Sequence, residues 1–333
     1  MLQRRLGRTG LDFSVLSFGC GAVGGLMTKG DAADQERAVA YALDHGITYF
    51  DTAAQYGDGT SETNLGRILK KVKNPAIRVG TKVRLKTHEY ADIAKAIPAA
   101  LDASLQRLAL DSVDLYQLHN RAADATHDDA LAADAFLSEV VPAFQRLQKA
   151  GKIRHFGITA LGDTPALTRV VESGAFATAQ ICYNALNPSA GSALPGRDYP
   201  AQDYDGLMQR AVKAGMGTIG IRVLAGGALS GTEARHPLNV QTVEPIGSGA
   251  DFKRDVDRAR RLEPMIREGH VASLPELSVR FAISEPSLST TLVGIANQEQ
   301  LEAAVTAAEK GPLSADALDR LAELQRGFLG EAR

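Results

Sequence analysis

Residues 47–57, ITYFDTAAQYG, decide how the rest of this sequence is read. A short β-rich apolar run from Ile47 stops at a carboxylate, Asp51, and a phenol, Tyr56, follows in the next turn. An apolar run that breaks off at chemically active residues suits a strand buried on both faces of a parallel sheet, with its functional group at one end. The same rhythm extends outward in both directions. VLSFG from Val15 precedes it, and IRVGTK from Ile77, VDLYQLH from Val113, IRHFGIT from Ile153, ATAQICY from Ala177, GTIGIRV from Gly217 and TTLVGI from Thr290 follow. Amphipathic stretches at 34–43, 93–108, 130–148, 165–171 and 204–212 read as the crossover helices that parallel strands require. Eight strands in βα alternation, with no Pro/Ser-rich linker, predict a single-domain α/β protein, a (β/α)8 TIM barrel over residues 1–333.

In a barrel the strand ends share one mouth, so residues far apart in sequence converge. Asp51 closes the second strand, Tyr56 follows it, Lys82 closes the third strand and His119 the fourth. These four types suit reversible carbonyl reduction. A phenol with a pKa near ~10 is a poor acid–base group at neutral pH unless a nearby cation stabilises its anion. Lys82 supplies that cation, Asp51 holds it charged, and His119 donates to the substrate oxygen. A Schiff-base aldolase using Lys82 is the rival chemistry, but it needs a neutral amine, which Asp51 opposes.

Bulk properties narrow the partners. Lys and Arg total 37 against 39 Asp and Glu, a formal charge of -2, so no global positive field recruits nucleic acid or an anionic membrane. Cys20 and Cys182 have no metal-ligand spacing and suit a reducing, cytoplasmic setting. The remaining histidines show no HExxH or i,i+4 spacing, so no metal site is expected. No run approaches the roughly 20 apolar residues of a membrane span, and the N-terminus lacks a signal-like apolar core. Glu62 reads as a first-turn helix carboxylate, and Gly24 and Gly25 as turn or ligand-approach glycines. Two irregular segments, 186–203 and 231–251, read as a lid or cofactor clasp on the barrel's C-terminal side. Oligomeric state is not legible.

Taken together, RLGRTGLDFSVLSFGCGAVGG from Arg5, FDTAAQYGDGTSETNLGRIL from Phe50, GTK ending at Lys82, LYQLHN around His119, GKIRHFGIT, QICYN, LAGGALSG and VGIANQEQLEAAV resemble an aldo-keto reductase. The resemblance runs in order over nearly the whole chain. It implies an oxidoreductase with the catalytic residues Asp51, Tyr56, Lys82 and His119, an extended NADP(H) or NAD(H) across the barrel mouth, and a small-molecule carbonyl or alcohol as substrate. A non-catalytic, cofactor-binding accessory subunit of the same fold is the alternative. The resemblance places Gly21, Ala22 and Val23 beside the nicotinamide, Gln180 and Thr159 at its carboxamide, and Leu224 and Gly226 in the cofactor-binding loop. Three departures stand out. Ala160 replaces the common Asn after Thr159. Ile221 stands where many relatives stack an aromatic, and Arg222 replaces a small hydroxyl residue, implying a ligand for the cofactor phosphate or a substrate carboxylate. Gly294, Ala296 and Gln300 stand where many NADP-using relatives carry Lys or Arg, with Glu299 and Glu302 adding negative charge, which leaves NAD and NADP both open.

Overall fold

The eight apolar runs become the eight strands of a closed parallel barrel in a computed structural model that describes residues 1–244, 246, 249 and 251–331. They are β1 Leu16–Gly19, β2 Tyr49–Asp51, β3 Arg78–Val83, β4 Val113–Leu118, β5 Ile153–Thr159, β6 Thr178–Cys182, β7 Gly217–Ile221 and β8 Thr290–Gly294. Sequential strands are neighbours throughout, and β8 closes the circle on β1, with Leu292 beside Ser17. Helices lie outside, their apolar stripes turned inward. In Ile93–Leu108 the buried residues Ile93, Ile97, Leu101, Leu105 and Leu108 recur at three- and four-residue steps.

One predicted helix begins later than its pattern suggests. Ala130–Ala132 instead pairs as a short parallel strand with Arg121–Ala123. A π turn, Phe136–Val140, then leads into the helix Val141–Lys149. Pro142 sits in that helix's first turn, where its missing N–H costs nothing but prevents the preceding turn from continuing an unbroken α ladder.

Period-two alternation sorts the barrel interior by height. Tyr49 and Asp51 face inward on β2, as do Gly80 and Lys82 on β3 and Leu115 and Gln117 on β4, consistent with the pairings of Lys82 with Gln117 and of Gly80 with Leu115. The N-terminal end is plugged by apolar side chains. A hairpin, Gln3–Arg5 with Asp12–Ser14, carries Leu6 and Phe13 into a cluster with Tyr49, Leu115, Ile219 and Leu292. Phe13 stacks on Tyr49 at 4.5 Å. The C-terminal end keeps the polar residues.

The two irregular segments behave differently. Residues 186–203 pack away from the mouth. Tyr199 donates to the Leu186 carbonyl and meets the ring of Phe328, while Gln325 of the helix Ala315–Arg326 donates to Ala185 O. This segment is therefore part of the scaffold and not a lid. In the segment 231–251, Pro245, Gly247, Ser248 and Ala250 lie outside the described residues; its part 231–244 crosses the mouth. Asn239 Nδ2 donates to Val23 O and Gly24 O at 2.7 Å, tying the strap to the loop after β1. Gly24 and Gly25 serve that approach: a Cβ on Gly24 would overlap the backbone of Ile295, and one on Gly25 the carbonyl of Leu238.

Glu62 also has a different role from a helix-end carboxylate. It is fully buried in Thr60–Lys71, where it accepts from Arg107 Nε at 2.6 Å and from the Thr81 hydroxyl. One carboxylate thus joins this helix to β3 and to Ile93–Leu108. Glu62→Ala leaves Arg107 and Thr81 without their acceptor and is expected to lower the unfolding free energy by about 2–4 kcal/mol. Urea unfolding checks this, and a loss below about 0.5 kcal/mol, the range of an ordinary surface change, would contradict it.

Candidate active site

Asp51 is the hub of the polar end. Its Oδ2 accepts from the Tyr49 hydroxyl at 2.9 Å and from Gln180 Nε2 at 2.6 Å, and its Oδ1 is ion-paired with Lys82 Nζ. Tyr49 reaches it because Gly80 on β3 has no side chain: a Cβ there would overlap the Tyr49 hydroxyl. Burial and the Asp51 charge push the Tyr49 phenol well above its ordinary range, so it remains a donor.

Lys82 is 1 % exposed and uses all three of its protons. One goes to Asp51, one to the Thr52 carbonyl at 2.9 Å and one to the Tyr56 oxygen at 3.2 Å. Burial works to lower its pKa, but Asp51 and Tyr56 outweigh burial and the net direction is upward, so the ammonium stays charged. That argues directly against a neutral, Schiff-base lysine.

Tyr56 departs from the simple picture of a cation-lowered phenol. Burial raises its pKa, Lys82 pulls it down, Asp51 pushes it up, and the net direction is upward. In the ligand-free cluster it is an acid holding its proton. Its ring meets that of His119 edge-on, with centroids 6.1 Å apart. Burial, then Lys82, Arg84 and Arg222, hold the imidazole well below its usual range, so it is neutral and keeps a single N–H.

These groups open onto a cleft of about 690 Å³ across the barrel mouth. Tyr56 and His119 line it near β2–β4; Gly21, Ala22, Thr159, Gln180, Ile221, Arg222, Leu224 and Gly226 line its course, and Gly294 and Gln300 line it on the β8 side. Because β8 stands four strands from β4 in the barrel order, the cleft spans the mouth. Two sequence candidates do not line it. Lys82 lies beneath Tyr56 in the barrel wall, and Ala296 is buried behind the β8 loop, its N–H donated to Gln300 Oε1 at 2.8 Å. Gln180 lines the cleft with an amide already committed to Asp51, its Oε1 only 3.5 Å from the Thr159 hydroxyl.

Arg222 follows β7 in a left-handed conformation, φ 57°, which costs a non-glycine residue about 1 kcal/mol or more. Asn184 Nδ2 and the Ala225 N–H hold that turn by donating to the Arg222 carbonyl at 2.9 and 2.7 Å. The Arg222 guanidinium donates to the Glu244 carbonyl at 3.1 Å and has no carboxylate partner among the described residues.

Among the cleft residues that sequence reasoning missed are Arg84, Arg121, Arg235 and Asn239. For two of them a signal existed. Arg84 lies two residues beyond Lys82 and Arg121 two beyond His119, the same period-two step that turns a strand's next side chain toward the same face. Arg235 and Asn239 sit on the strap, where no periodicity applies.

Known proteins place this geometry in context. Residues 15–326 match the family model described as Aldo/keto reductase family. The chain is 27% identical over 311 residues to L-galactose dehydrogenase of Arabidopsis thaliana, covering 91% of this chain and 87% of that protein. It is 25% identical over 306 residues to aldo-keto reductase YhdN of Bacillus subtilis, covering 89% and 85%. In fold it is similar to aldo-keto reductase AKR11C1 from Bacillus halodurans in its holo form, with a TM-score of 0.69 over 97% of this chain and 96% of that one, at 23% identity. With a match spanning nearly its whole length and the same eight-stranded barrel, this chain belongs to the aldo/keto reductase family.

Proposed function

We propose that the protein interconverts a small-molecule carbonyl and its alcohol, with Tyr56 as the proton-transfer residue and a nicotinamide dinucleotide as redox partner. The observation that carries this is the third proton of Lys82, directed at the Tyr56 oxygen from an ammonium whose other two protons are taken by Asp51 and Thr52. The bound nicotinamide supplies or accepts the hydride. In reduction, Tyr56 donates its proton to the substrate oxygen, and Lys82 stabilises the phenolate left behind. His119, neutral and beside Tyr56, donates a hydrogen bond to the same oxygen and polarises the carbonyl. In oxidation the phenolate, held by Lys82, takes the proton back. Asp51 touches neither reactant; it fixes Lys82 in place and charge.

The residues along the cleft fit a dinucleotide. Gly21 lines the wall beside Tyr56, where a Cβ would make ordinary contact with the phenol ring at 3.7 Å. Thr159 and Gln180 suit the carboxamide, and Ile221 covers the ring with an aliphatic face. Arg222 and Arg235 flank the Gly226–Gly227 turn, Arg235 donating to Gly226 O at 2.9 Å, and suit the pyrophosphate. Leu224 packs at the start of that turn.

On the β8 side, the cleft residues between 292 and 304 include no Lys or Arg but do include Glu299. At the N-terminus of Gln298–Glu309 one amide is taken, Asn297 Oδ1 accepting the Gln300 N–H at 3.0 Å, and just before the helix Gln300 Oε1 accepts the Ala296 N–H. A 2′-phosphate there gains no cation and meets a carboxylate, which favours NAD(H). Fluorescence titration is expected to show NADH binding about tenfold or more tighter than NADPH; the reverse order would contradict this.

Tyr56→Phe is expected to retain dinucleotide binding while losing about 10²- to 10⁴-fold in kcat, because only the transferable proton is removed. Unchanged turnover would overturn the assignment. Raised Tyr56 and lowered His119 pKa values also fix the pH dependence of reduction. Tyr56 keeps its proton up to and beyond its ordinary ~10, and His119 stays neutral through its ordinary ~6.5, so kcat/KM should be flat from about pH 6 to about pH 9. A descending limb centred below about pH 9 would contradict the protonated resting phenol.

A further inference from the structure

Four arginines line the cleft, and they fall into two pairs by position. Arg222 and Arg235 flank Gly226 and Gly227. Arg84 and Arg121 follow β3 and β4, two residues beyond Lys82 and His119, and Arg121 meets the Glu244 carboxylate while Arg222 donates to the Glu244 carbonyl, so Arg222 borders this pair. One short segment adjoins both residues of this second pair: Arg84 Nη2 meets Asp129 Oδ2 at 2.9 Å, and the Arg121 backbone N–H donates to the Asp129 carbonyl at 3.4 Å, while its guanidinium meets Glu244. The charges nearest the reacting groups do not cancel it. Asp51 is consumed by Lys82, Tyr56 holds its proton, and His119 is neutral.

We propose that Arg84 and Arg121 form an anion-recognition subsite for the substrate, so that the preferred carbonyl compound carries a carboxylate or phosphate remote from its reacting carbon. This rests on the oxidoreductase reading of the same cleft. The existing partners of both arginines are solvent-facing: Asp129 is 48% exposed, and Glu244, 3.4 Å from Arg121 Nη1, is 69% exposed. Such pairs contribute little and are screened by salt, so an incoming anion displaces or joins them at small cost. Each guanidinium has five N–H donors and spends only one on its side-chain partner, leaving a planar edge for bidentate contact. Glu244 belongs to the strap that crosses the cleft, so the same segment that ties down over Val23 and Gly24 also meets the subsite through Arg121.

The test uses the full-length protein saturated with whichever dinucleotide binds, in two readouts. Calorimetric titration with succinate and with inorganic phosphate is expected to show saturable binding of at least one. Its affinity should fall about tenfold or more in Arg84→Met/Arg121→Met, a loss of charge-assisted contacts with the aliphatic bulk retained. Turnover of succinic semialdehyde against butyraldehyde, and of glyceraldehyde 3-phosphate against glyceraldehyde, is expected to favour the charged member of at least one pair by about tenfold or more in kcat/KM. Added salt and the double variant should both collapse that ratio toward one. The pair that shows the preference identifies carboxylate or phosphate. Absence of anion binding, equal binding in the double variant, or charged-to-neutral ratios near one in the unmodified protein would overturn the subsite. Anion binding that depends on both arginines, with none of the carbonyl compounds turned over, would uphold the subsite and overturn the oxidoreductase reading.

Discussion

Lys82 carries a full positive charge inside the barrel wall, 1 % exposed, and the polar end of the protein is arranged around keeping that charge in place. Burying an ammonium alone costs several kcal/mol, and the attraction to one carboxylate offsets this only when the remaining hydrogen-bonding capacity of both ions is satisfied. Here it is. Asp51 accepts from Tyr49 and Gln180 as well as Lys82, and Lys82 reaches Thr52 and Tyr56 as well as Asp51. Six residues on the second, third and sixth strands and the loop after the second are thereby locked to one another. The result is a phenol fixed at the cleft wall with a permanent cation at its oxygen.

That arrangement explains why Tyr56 rests protonated. A cation alone would depress the phenol, yet the desolvation that makes the cation's field strong also penalises the phenolate, and here desolvation and Asp51 prevail. The cleft wall thus presents a protonated phenol, the state that the proposed reduction requires. His119, kept neutral by burial and three cations, can offer an N–H without bringing another charge into the mouth. The strained turn at Arg222 brings its charge within reach of Tyr56 and His119, and the strap at Asn239 is tied to the loop after β1.

The barrel was legible in the sequence because its signal is repetitive: apolar runs ending in polar groups, alternating with helical stripes. The clustering of Asp51, Tyr56, Lys82 and His119 was legible for the same reason, since strand ends in a barrel share one mouth. Other features depend on contacts no period encodes. Glu62 looks like an ordinary first-turn carboxylate until Arg107, from a different helix, is seen against it. The two irregular segments have similar composition, yet one packs on the C-terminal helix and the other crosses the cleft, a difference decided by Tyr199 meeting Phe328 and Asn239 meeting Val23. Ala296 stood in a motif that touches the cleft, but its own side chain faces the core. Arg84 and Arg121 were within reach of the alternation argument, had it been carried two residues past Lys82 and His119.

As proposed, this cleft moves a hydride between a nicotinamide and a carbonyl carbon while Tyr56 moves the proton. Incubating the protein with dinucleotide deuterated at the transferable C4 position and a panel of aldehydes, then weighing the product alcohols by mass spectrometry, tests it directly. The account predicts one deuterium in each product, bound to carbon, with the yield of labelled product falling about 10²- to 10⁴-fold in Tyr56→Phe. Product without carbon-bound label, or substrate trapped on Lys82 by borohydride, would contradict it.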